Sequence, residues 1–180
     1  MRKTCLKEIV VPTNKLTSFS IYTTLVLVLC LISPFYFIHG GELLKSNLYN
    51  FFLSWFTVLA VFIGIVFHEI IHLLVFIFST QVKLKNLKVG INKEMMSPYV
   101  HVKIPITTNV YRFSALAPTI LLGVFPIIWS FYAANAWFLV FGIIFFVGGS
   151  ADLYIFWKLK NYDSSTKILD HEEKPGCFIV

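Results

Sequence analysis

Charge is what this sequence has least of. Only 13% of its 180 residues are Asp, Glu, Lys or Arg, and the mean hydropathy is +0.77. Soluble domains carry roughly a quarter charged residues, so the chain reads as an integral membrane protein. Cysteine is scarce too: Cys5, Cys30 and Cys177 show neither pairing nor metal-ligand spacing. That argues against a disulfide framework and leaves Cys30 as a small buried apolar residue. Internal repeats and low-complexity tracts are missing. The basic N-terminus leads into an apolar run without a small-x-small cleavage site, which favours a retained first span over a removed signal peptide.

What is there is apolar length. Four runs are long enough to cross a bilayer: residues 20–38, 51–78, 113–132 and 136–157. The expected fold is therefore an all-α membrane protein with four transmembrane helices. A basic N-terminus (1–19) precedes the membrane domain (20–157) and a tail (158–180) follows it. The net charge of +6 is unevenly placed. Lysines and arginines collect before the first run and between the second and third, where Lys83, Lys85, Lys88, Lys93, Lys103 and Arg112 face a single acid, Glu94. The positive-inside rule then puts both termini and this long connection in the cytoplasm of a multi-pass protein of the cell membrane. We read the lysines as topogenic and lipid-facing, with no nucleic-acid partner.

The connection at 82–106 changes period. Leu87, Val89 and Ile91, then Val100, Val102, Ile104 and Ile106, alternate with polar or small residues around a centre at Met95-Met96-Ser97-Pro98. Period-two alternation on both sides of a turn predicts a strand-like hairpin facing the cytoplasm. Its free edge would suit an extended peptide added as a further strand; an amphipathic connector is the alternative. Pro118 and Pro126 predict kinks in the third run. Gly64, Gly148 and Gly149 mark places where helices approach closely.

One cluster stands against the apolar background. Residues 68–72 read His-Glu-Ile-Ile-His inside the second run. A charged side chain at the centre of a bilayer costs about 2.5–3.5 kcal/mol on insertion scales. His68 and His72 lie one turn apart on one helix face, so both imidazoles can bind one zinc ion with Glu69 beside it. Beyond this cluster the four runs hold a single acidic or basic residue, Asp152. His72 and Asp152 lie at similar distances from the predicted cytoplasmic ends of their helices, about 8–9 Å by helical rise. Asp152 is thus the expected third zinc ligand. The alternatives are an interfacial aspartate paired with Lys158, Arg112 or a helix N-terminus, or completion of the site by His101. Tyr111 and Arg112 are candidates for stabilising an oxyanion, with an interfacial anchor pair as the simpler account. His39 is read as a polar helix-end residue and His171 as solvated.

Together these features resemble site-2-protease-like intramembrane metalloproteases. More closely, the chain resembles a small bacterial family of zincin peptidases. Phe67–Leu74, Ser114-Ala115-Leu116-Ala117-Pro118 and Gly149-Ser150-Ala151-Asp152 carry the likeness, which runs from about Asn50 to the tail. Site-2 proteases carry their aspartate in a Leu-Asp-Gly element, whereas Asp152 stands between Ala151 and Leu153. The resemblance implies zinc and hydrolysis of peptide bonds in membrane or membrane-associated proteins. The expected mechanism is a zinc-activated water with Glu69 as general base. A non-catalytic adaptor with a structural zinc is the alternative, and it has no use for Glu69. A metal transporter fits less well, because its ionisable groups would be spread through the membrane depth.

Overall fold

The computed structural model describes residues 7–92, 97–171 and 174–180. Strand β1 (Lys7–Val10) leads into helices α1 (Thr13–His39), α2 (Gly41–Leu53) and α3 (Trp55–Phe78). Strands β2 (Leu87–Asn92), β3 (Ser97–Val102) and β4 (Ile106–Thr107) follow. Helix α4 (Thr108–Pro118) passes through a π-helical segment, Thr119–Val124, into α5 (Phe125–Tyr132). Helices α6 (Ala136–Gly148) and α7 (Ser150–Leu159) precede β5 (Lys167–Asp170) and β6 (Gly176–Ile179).

The chain is mostly helical, but the all-α expectation needs correction. Strands β1, β6, β5 and β4 form one antiparallel sheet in that order, and β2 pairs with β3 in a second. The predicted hairpin over 82–106 is narrower than its alternation suggested. Ile106 leaves it to pair with Ile168, which in turn faces Ile179. Of its predicted centre, Met95 and Met96 lie outside the described residues, whereas Ser97 and Pro98 already belong to β3. The N-terminal flank and the tail, expected only as flanks, supply β1, β5 and β6. They are held there because Ile9, Ile106, Ile168, Cys177 and Ile179 are all buried, and strand periodicity puts Ile168 and Ile179 on the face they share with Asp170 and Cys177.

Helices α1 and α3 and the helical stretch Thr108–Tyr132 are each long and apolar enough to cross a membrane. The α6–α7 pair, broken at Gly149, makes a fourth if its two pieces count as one span. Just 6% of the apolar window of α1 and 11% of that of α3 is buried, so most of their apolar surface needs a non-aqueous partner. The second predicted run is shorter than 51–78, because Ser54 cuts it. Its backbone is extended there, and its Oγ accepts the Phe56 amide at 3.2 Å, starting α3 with an N-cap.

The chain divides into two compact units. One comprises the described residues of 14–65 and 119–150. Its core is Phe35, Leu44, Ala136, Leu139 and Ile143. Asn135 caps α6 through the Trp137 amide at 2.9 Å, and Trp137 Nε1 donates to Thr57 Oγ1 at 2.9 Å. The predicted close approach at Gly64 involves the Phe145 ring, which leaves no room for a Cβ, and Gly149 meets Thr119. Gly148 has open space. The other unit comprises the described residues of 1–13, 66–118 and 151–180, and holds both sheets and the polar cluster.

Candidate metal centre

Helix α3 presents His68 and His72 one turn apart, with ring centroids separated by 4.9 Å. Asp152 comes from the first turn of α7. The break between helices at Gly149 puts its carboxylate at a helix N-terminus, where negative charge is favoured. Asp152 Oδ2 lies 3.2 Å from His68 Nε2 and 3.7 Å from His72 Nε2. The three side chains are only 15%, 13% and 23% exposed. The ligand atoms of His68, Glu69 and His72 also lie within 4.8 Å of one another. Two imidazoles are thus common to two overlapping groups, one completed by Asp152 and one by Glu69.

Helix α4 contributes the buried Ser114, whose Oγ is 3.1 Å from His72 Nδ1. When Nδ1 carries the proton and donates to Ser114, the Nε2 lone pair is left facing Asp152. This is the outer-shell contact that fixes the tautomer of a metal-binding histidine. On the hairpin side, the Val100 backbone amide interacts with the Glu69 carboxylate.

The donor set fits zinc. Ligand atoms about 2.0–2.1 Å from a tetrahedral zinc ion stand about 3.3 Å from each other, and the observed 3.2 and 3.7 Å bracket that spacing. Two imidazoles and one carboxylate would be three protein ligands, the number that hydrolytic rather than purely structural zinc sites use.

The other polar candidates are engaged elsewhere. Arg112 donates from Nε to the Leu159 carbonyl at 3.1 Å, and its Nη2 contacts the Leu159 and Tyr162 carbonyls, so it caps the end of α7. Tyr111 Oη donates to Asp170 Oδ1 at 2.7 Å and to the Gly176 carbonyl at 3.3 Å. Neither is free to serve an oxyanion. His101 is buried with its Nδ1 3.2 Å from Asp170 Oδ2. Lys158 sits 5.3 Å over the Tyr154 ring. His171, expected to be solvated, stacks on Phe178 at 4.9 Å and meets Glu8 at 3.2 Å.

Sequence reasoning passed over two residues of this region. Ser114 was quoted only as part of a likeness, and nothing in its local sequence says that it faces an imidazole. Asp170 carried no expectation. Its signal was the register Ile168-x-Asp170, which turns the carboxylate to the same face as a core isoleucine.

Comparison with known proteins agrees with this chemistry. A family described as "Putative zincin peptidase" matches residues 61–167, more than half of the chain. No curated protein and no solved structure matches it. The matched stretch contains His68, Glu69, His72, Ser114 and Asp152, and stops before Asp170. The chain belongs to this zincin peptidase family.

Proposed function

We propose that this protein is a membrane-embedded zinc metalloendopeptidase, site-2-protease-like in arrangement, that hydrolyses peptide bonds of membrane or membrane-associated proteins. One observation carries the reading: Asp152 Oδ2 stands between the Nε2 atoms of two histidines, with Glu69 on the intervening turn. His68, His72 and Asp152 would hold the ion, and Ser114 would orient His72. Bound zinc supplies Lewis acidity toward a water and the scissile carbonyl. Glu69 accepts the water's proton and passes it to the leaving amine. The β3 edge next to Glu69 offers main-chain groups on which a substrate can lie extended.

Four crossings, with both termini and the hairpin on the cytoplasmic side, complete the proposal. Strand pairing supports it. β1, β4 and β5 belong to one sheet, and one sheet lies on one side of a bilayer. The chain must then cross an even number of times between β1 and β4, and again between β4 and β5. Counting α6–α7 as one span satisfies both conditions; counting it as none does not.

The test is metal analysis of the purified full chain with hydrolysis of a membrane-protein substrate. Glu69→Gln should keep zinc and lose about 10²–10⁴-fold in rate. His72→Ala should lose the metal. Full activity in Glu69→Gln, or a wild-type protein that binds no zinc, would overturn the reading.

A further inference from the structure

The outer edge of β3 is gripped from the tail. In an antiparallel pair, a residue's N–H and C=O point to the same edge and alternate residues point to alternate edges. Val102 donates its N–H to Asp170 Oδ2 at 3.2 Å, away from β2. Val100, two residues earlier, turns its amide to the same edge, where it interacts with Glu69. Pro98, the next in that row, has no N–H to offer. Asp170 is itself fixed by two hydrogen bonds, from Tyr111 Oη to Oδ1 and from the Val102 amide to Oδ2, and His101 Nδ1 lies 3.2 Å from Oδ2. β3, β5 and α4 are thereby tied together, and β3 and α4 also reach the polar cluster, through Val100 at Glu69 and Ser114 at His72.

The geometry points to Asp170 as a positioning residue for the peptide substrate, which rests on the peptidase reading above. By occupying the Val102 amide it ends the open part of the edge there. It holds Val100 beside Glu69, with the Val100 carbonyl facing the same outer edge as an acceptor for an added strand. Asp170 lies beyond the stretch that the family match covers.

The experiment uses the full chain in lipid nanodiscs loaded with Co²⁺, whose visible spectrum reports ligand binding. Two probes separate metal from edge. Acetohydroxamate reaches the ion alone, whereas a dipeptidyl hydroxamate also lies along a strand. Asp170→Ala should weaken the dipeptidyl probe about tenfold, on the scale of one or two lost hydrogen bonds. Acetohydroxamate affinity should stay within about twofold, and hydrogen exchange at 98–102 should speed up without a change in α3. Tyr111→Phe, which removes one of the bonds that fix Asp170, should show the same pattern more weakly, and serves if Asp170→Ala does not fold. Equal weakening of both probes, or of neither, would overturn the positioning role while leaving the zinc reading intact. A wild-type protein that takes up no Co²⁺ would overturn both.

Discussion

Two histidine–aspartate pairs lie in the same unit at the same separation, and they serve different ends. His68 and Asp152 are 3.2 Å apart, as are His101 and Asp170. What differs is what else reaches the carboxylate. Asp170 takes a phenolic hydroxyl on one oxygen and a backbone amide on the other, so its acceptor sites are filled by fixed donors. Asp152 is met, among the described residues, by two imidazole nitrogens. A carboxylate satisfied by rigid neutral donors is an architectural bolt, because a buried charge needs those bonds. A carboxylate facing two imidazoles has beside it the donors that the proposed zinc site needs. The same pair is therefore a strut or a metal site according to its third and fourth neighbours.

The contrast can be broken most directly by exchanging the lesions. Asp152→Ala should abolish stoichiometric zinc by elemental analysis, whereas Asp170→Ala should leave it in place. Equal metal loss in both variants would erase the distinction. The next effect is stability. Asp170→Ala leaves the Val102 amide without its acceptor and Tyr111 without one of its two, and should cost about 1–3 kcal/mol in denaturant unfolding, with little change for Asp152→Ala in the metal-free protein. A smaller change separates the outer shells. Ser114→Ala should lower zinc affinity about 10–100-fold in a competitive chelator titration, and Tyr111→Phe should leave it unchanged.

The smallest effect concerns Cys177, next to the strut. Burial, with Asp170 nearby, pushes its thiol up to about 12 from an ordinary 9.0. A group whose folded pKa lies above its unfolded value stabilises fully below the unfolded pKa and loses that contribution as pH rises. The sheet should therefore keep its stability up to about pH 9 and weaken between there and pH 12. Below pH 9, Cys177 should resist maleimide until the protein unfolds. Fast labelling in the native state at pH 8 would contradict this.

How much of this was legible depended on whether the signal was local. The His-Glu-Ile-Ile-His cluster was, because two imidazoles one turn apart meet on any helix. The alternation at Leu87–Ile91 and Val100–Val102 was legible for the same reason, since period two is a property of one strand. Ser54 was hidden by its apolar neighbours, and only its capping bond to Phe56 reveals the break. Strands β5 and β6 were hidden because they are four residues each, too short for a pattern to stand out until Ile168 is seen between Ile106 and Ile179. Tyr111 and Arg112 looked available from sequence because the carbonyls and carboxylate that engage them lie 47 to 65 residues away.

By itself the sequence determined the apolar helices and the two imidazoles with their neighbouring carboxylate. These follow from side-chain hydrophobicity and from the 3.6-residue turn, which act along the chain. Tertiary structure decided which aspartate meets the imidazoles, which one bolts the sheet, and which main-chain amide stands beside Glu69. Those outcomes depend on donors and acceptors far apart in sequence, and burial makes each of them find a partner.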